Sequence, residues 1–151
     1  MNLDTKRKLY EACMTYAEQR VQNAEKALAD TQDASNQETR STAGDKHDTA
    51  RAMMHIESER LGKQLGDAQQ TLRNINSVDS SSMHSSIKSG TLVHTDIGYF
   101  FLAISIGKLE FDDQSYFVVS PGSPMGQALM GHKADDTVQF NKRSIHIKAI
   151  C

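Results

Sequence analysis

Gly44-Asp45-Lys46-His47-Asp48-Thr49 stands where one long helical register stops and a second begins, and it carries two carboxylates three residues apart at the expected outermost point of a helical hairpin. Before it, Leu3, Tyr10, Ala17 and Ala24 recur at one heptad position, and Met14, Val21 and Leu28 at the other. After it, Met54, Leu61, Ala68 and Ile75 recur, with Leu65 and Leu72 at the alternate position. Apolar stripes this narrow are coiled-coil seams rather than faces of a thick core. Past Leu28 the first seam decays into Thr31 and Ser35, and Ser35-Asn36-Gln37 has nothing to bury. Two seams of similar length, separated by polar residues, satisfy each other by folding back. We therefore expect an antiparallel coiled-coil hairpin over residues 1–76 with an acidic tip at 44–49. At ~1.5 Å per residue, about 30 residues make a rod ~45 Å long. A spacer or dimerisation element is the plain alternative for such a hairpin.

The totals fit a lean first half. With 151 residues, 38% hydrophobic and no Trp, the chain has room for one ordinary domain or two small parts. Tyr10 and Tyr16 are the only aromatic residues before Tyr99, so a compact core belongs to the last third. A formal charge of −2 argues against a general polyanion binder, which needs excess Lys and Arg. Cys13 and Cys151 lack the spacing of a disulfide framework or a zinc site, which suits a reducing cytoplasm. The start of the chain does not read as a signal peptide, and no run reaches the apolar length of a membrane span.

Ser77-Val78-Asp79-Ser80-Ser81-Ser82, followed by Ser85-Ser86, reads as a Ser-rich linker over 77–86. Beyond it the period changes to two. Residues 91–95, 99–106, 116–119, 138–140 and 145–148 read as five strands, with turns at Gly107-Lys108 and Asp112-Asp113. One short helix lies among them: Ser123 is its expected N-cap, Pro124 its first residue and Gly131 its C′ position. The fold class expected from 87–151 is α+β, an antiparallel sheet with one short helix on a face.

Asp45 and Asp48, three positions apart, project together if they lie on a helix or its first turn. Such a pair has two uses. It shares a divalent cation, or Asp45 caps the second helix while Asp48 interacts with the helix N-terminus. Spacing alone leaves both open. Lys46 between them favours the ionised form under either.

The run Ser120-Pro121-Gly122-Ser123-Pro124-Met125-Gly126-Gln127-Ala128-Leu129-Met130-Gly131-His132-Lys133 resembles the C-terminal signature of the bacterial Gre transcript-cleavage factors, with Asp135 and Asp136 in the acidic turn that follows. Gly44-Asp45-Lys46-His47-Asp48-Thr49-Ala50 resembles the tip of the same family. The resemblance covers nearly the whole chain in order and implies a hairpin, a linker and an FKBP-like domain. It implies that the C-terminal domain docks on RNA polymerase through Ser123, Pro124, Met125 and Gly126 while the hairpin enters the secondary channel. At its end Asp45 and Asp48 would help hold a Mg²⁺ shared with the polymerase, which then cleaves backtracked RNA by two-metal chemistry.

Under this resemblance the free chain carries no cofactor. It acts as a cytoplasmic monomer on polymerase and the nascent RNA 3′ end, touches no membrane and is not itself an enzyme. Arg40, Lys46 and Arg51 are the candidates for contact with RNA phosphates. The tip departs from the family pattern: Asp48 replaces Glu, Thr49 replaces Asn, and Arg51 and Ala52 stand where a second Glu and a Tyr are usual. Two rival functions follow. One is a channel-occupying regulator that does not promote cleavage. The other is a peptidyl-prolyl isomerase or chaperone built on the FKBP-like domain.

Overall fold

The computed structural model describes the backbone of residues 1–38 and 44–151 and the side chains of 1–37 and 48–151. Two units are present: Tyr16–Arg73, and Met1–Thr15 together with Asn74–Cys151.

The first unit consists of most of two long helices, α1 (Leu3–Glu38) and α2 (Gly44–Asn76); residues 3–15 of α1 and 74–76 of α2 belong to the second unit. They are antiparallel. Ala24 and Ala27 of α1 border the same cleft as Gln64 and Ala68 of α2, whereas Gln32 and Ser35 share theirs with Asp48 and Arg51. The hairpin expected from the two registers is therefore present. Ala17, Leu61 and Ala68 are buried along the seam, and Val21, Leu28, Met54 and Leu65 are half-buried. The heptad pattern explains the helices, since length and a continuous apolar stripe outweigh the modest propensity of each turn.

In the second unit the opening turns of α1 are capped by Asn2, whose Oδ1 accepts from the Thr5 N–H at 2.9 Å. Lys6, Leu9 and Cys13 follow at helical spacing, and all three are fully buried. That burial is the reason residues 1–15 belong with the sheet.

The sheet has six strands: β1 (Leu92–Thr95), β2 (Gly98–Leu102), β3 (Gly107–Phe111), β4 (Gln114–Val119), β5 (Thr137–Phe140) and β6 (Arg143–Ile150), in the order β3-β4-β2-β1-β6-β5. The helix α3 (Pro124–Leu129) sets Leu129 against Val93, Phe100, Leu102, Ile145 and Ile147 on one face. Leu92, Phe101 and Val118, alternate to these in the strands, are buried on the other.

The sequence reading needs three corrections. Gly107-Lys108 opens a sixth strand instead of making a turn; Leu109 and Phe111 face inward, while exposed Lys108 and Glu110 pair at 2.8 Å along the sheet edge. Strand β2 ends at Leu102, although the apolar run continues through Ala103 and Ile104, which are buried outside any strand. The sheet is not wholly antiparallel, because β4 returns into the gap between β2 and β3 and lies parallel to β2. The Asp112-Asp113 turn is present, with both residues at positive φ (49° and 62°), as a tight hairpin turn demands. No helix among the described residues is long and apolar enough to cross a membrane.

Candidate functional site

The tip is only partly described. Arg40 lies outside the described residues, as do the side chains of Asp45, Lys46 and His47, so whether Asp45 and Asp48 converge falls outside the description too. Helix α2 begins at Gly44, which places Asp45 inside the first turn rather than ahead of it. Asp48 and Arg51 are exposed on α2 and face a cleft of about 550 Å³ between the helices. Gln32, Ser35, His55 and Ser58 border the same space. One exposed carboxylate beside water suits Mg²⁺, which takes few protein ligands and keeps its waters. Arg51, three residues on, competes electrostatically with any cation bound there. Among the described residues no three or more of His, Cys, Asp or Glu are grouped to hold a metal.

The Ser120–Gly131 corner is fully described, and its residues have clear structural reasons. Ser123 is extended (φ −67°, ψ 159°), its hydroxyl accepts from the Gly126 N–H at 3.0 Å and donates to the Ser120 carbonyl at 2.7 Å. Pro124 occupies the first turn, where no N–H is needed. Gly126 is required by space: a Cβ there would stand 2.1 Å from the Ser120 carbonyl oxygen and 2.8 Å from that of Pro121. Gly131 ends the helix at φ 82°, its N–H bonded to the Ile87 carbonyl at 2.8 Å. Of the four predicted docking residues, Pro124 is exposed, Ser123 and Met125 are half-buried and Gly126 is buried. The side chain of Met125 borders a depression of about 480 Å³ with Ile97, Phe140, Arg143 and Ile145.

A third cluster escaped the sequence reading. The segment read as a linker is knotted: the Asp79 carboxylate accepts from the Ser81 N–H (3.0 Å) and hydroxyl (2.9 Å), and from the Ser82 hydroxyl. Lys6 Nζ donates to the Ser82 carbonyl at 2.7 Å, and His84 Nδ1 meets Thr91 Oγ1 at 2.6 Å. His84 Nε2 is buried without a hydrogen bond; Asp79 Oδ2 lies 3.5 Å away, close enough for charge attraction but too far for a bond. The Ser82 and Ser81 hydrogen bonds hold the Asp79 carboxyl well below the ordinary carboxylate range. Burial, then Lys6 and Lys88, depress the His84 imidazole despite Asp79. Asp followed by serines is an Asx-turn signal and was readable; the burial of Lys6 had no signal in the sequence.

No family model matches the chain, and no curated protein matches it. Among solved structures, that of the transcription factor Gfh1 is similar at 20% identity, covering 93% of this chain and 92% of that one, with a TM-score of 0.35.

Proposed function

We propose that this chain is a Gre-like accessory factor of RNA polymerase: its helical hairpin enters the secondary channel while its sheet unit docks at the rim. The observation that carries the reading is the exposed Asp48 on an antiparallel helix pair. Between Asp48 and Arg73, where the helical unit ends, α2 runs for about 25 residues, ~37 Å at 1.5 Å per residue. A helix pair of that length is suited to carrying a carboxylate into a narrow channel. Asp48, with Asp45, then supplies oxygens to a polymerase-held Mg²⁺ that activates water against the RNA backbone. Pro124 and Met125, beside the depression lined by Ile97 and Phe140, suit docking, since exposed apolar surface next to a basic residue favours a protein partner.

The test is RNA shortening in backtracked elongation complexes with Mg²⁺ present. The chain is expected to accelerate cleavage, and the Asp45→Ala and Asp48→Ala variants to lose at least tenfold of that acceleration while still binding core polymerase. Binding without any acceleration by the unaltered chain would refute the cleavage step and favour the second reading, a channel-occupying regulator. Arg51 favours that reading, because it places a cation where a metal-holding tip benefits from a further carboxylate.

A further inference from the structure

We infer that His84 is a proton-operated latch in the sheet unit: neutral, it bonds to Thr91 while Asp79 and Ser82 hold Lys6; protonated, it exchanges Thr91 for Asp79 and releases the contact between Ser82 and Lys6. Counting hydrogens fixes the neutral arrangement. Thr91 Oγ1 accepts from the Lys88 N–H at 3.0 Å and meets His84 Nδ1 at 2.6 Å. Thr91 is fully buried, and its hydroxyl has no third partner among the described residues. The hydroxyl hydrogen therefore has one acceptor, His84 Nδ1, and the ring's own hydrogen sits on Nε2. That atom is buried without a hydrogen bond, 3.5 Å from Asp79 Oδ2. A buried donor left short of a carboxylate is a group with somewhere to go.

Protonation upsets this arrangement at both ends of the ring. A hydrogen added at Nδ1 reverses the 2.6 Å bond, so that Thr91 Oγ1 receives two N–H groups while its own hydrogen is buried without an acceptor. Thr91 is not free to move away, because its N–H bonds the Lys88 carbonyl and its carbonyl the Leu102 N–H, both at 3.0 Å. At the other end the imidazolium is drawn to the Asp79 carboxylate. Asp79 Oδ2 is also the acceptor of the Ser82 hydroxyl, so a ring moving toward it competes with Ser82. The new charge also repels Lys6, whose buried ammonium rests on the Ser82 carbonyl at 2.7 Å. Both effects loosen the first turns of α1 from the 79–82 turn. The charges facing the ring are Asp79, Lys88 and, from α1, Lys6. Burial foremost, then the two lysines, hold the imidazole below its ordinary value, so the latch stays closed at neutral pH and opens in mild acid. Asp79 stays ionised there, since the Ser82 and Ser81 hydrogen bonds hold its carboxyl well below the carboxylate range.

The inference concerns the sheet unit alone and does not depend on the polymerase reading. Nuclear magnetic resonance of the full-length, ¹⁵N,¹³C-labelled protein from pH 7.5 to 5 tests it. At pH 7.5 long-range ¹H–¹⁵N spectra should show the His84 hydrogen on Nε2, and Overhauser contacts should join Lys6 to Ser82. On acidification the ring should titrate with a midpoint below ~6.5, the ordinary histidine value. The Lys6–Ser82 contacts and those between the His84 ring and the Thr91 methyl should be lost with that same midpoint. In His84→Gln, which takes up no proton, the Lys6–Ser82 contacts should show no such loss. A neutral ring with its hydrogen on Nδ1, a ring still neutral at pH 5, or Lys6–Ser82 contacts that survive protonation each overturn the proposal. So does an unchanged loss in His84→Gln. The first three outcomes are read in the unaltered protein, so they decide the matter even where the variant does not fold.

Discussion

Gly126→Ala sets two effects of known sign against each other. Helix propensity alone predicts a gain, since alanine exceeds glycine by ~1 kcal/mol in a helix interior. Steric fit predicts a loss. The added Cβ would lie 2.1 Å from the Ser120 oxygen, 2.8 Å from the Pro121 oxygen and 2.9 Å from the Pro121 carbonyl carbon, all backbone atoms that cannot rotate away. Relieving contacts that short requires α3 and the 120–123 loop to separate by about an ångström. The separation strains the Ser123 cap, whose hydroxyl holds the Gly126 N–H at 3.0 Å, and the Met130 N–H to Gly126 carbonyl bond at 2.9 Å. Overpacking costs ~1–3 kcal/mol and a lost cap ~0.5–2 kcal/mol, so after the propensity gain the net loss is ~0.5–4 kcal/mol. Thermal melting followed through Tyr99 and Tyr116, both in the sheet, should show a midpoint lower by ~3–20 °C. Gly122→Ala is the control: nothing lies within 4 Å of its Cβ, and its midpoint should stay within about 2 °C. A Gly126→Ala midpoint equal to or above that of the unaltered protein would show that the close approach is not the reason for glycine.

Acid should destabilise the sheet unit in two stages. The His84 imidazole is depressed, so the folded protein resists protonation where the unfolded chain accepts it, and stability present at neutral pH falls as pH drops below ~6.5. Lys6, Lys88 and Asp79 are the charges that face it. The depressed Asp79 acts at lower pH: its contribution is present above ~4 and disappears as pH falls further. Urea midpoints should therefore decrease from pH 7.5 to 5.5, and His84→Gln should flatten that step; a midpoint that rises on acidification contradicts the assignment. The Cys13 thiol, pushed up to about 12 by burial, and Cys151, buried at the other end of the chain, should both resist an aromatic disulfide reagent at pH 8 and react only after denaturation. Labelling of Cys13 in the native protein, located by peptide mapping, would show that the opening turns of α1 are not packed as described.

The heptad registers and the cap residues were legible because each is a local rule. Leu61 and Ala68 name a seam wherever the helix goes, and Ser123, Pro124 and Gly131 name the ends of α3 from backbone chemistry alone. The identity of Gly126 looked like part of a motif; only the folded chain shows the Ser120 and Pro121 carbonyls that exclude any side chain there. Other features depended on distant partners. Ala103 and Ile104 continue an apolar run but leave the strand, because the chain must turn outward to leave room for β4 between β2 and β3. Lys6 reads as a surface residue, yet it is buried with its ammonium on the Ser82 carbonyl, 76 positions away in the chain. Spacing along a helix or strand fixes which residues share a face. What covers that face, and which polar groups are trapped beneath the cover, is decided only when segments far apart in the chain come together.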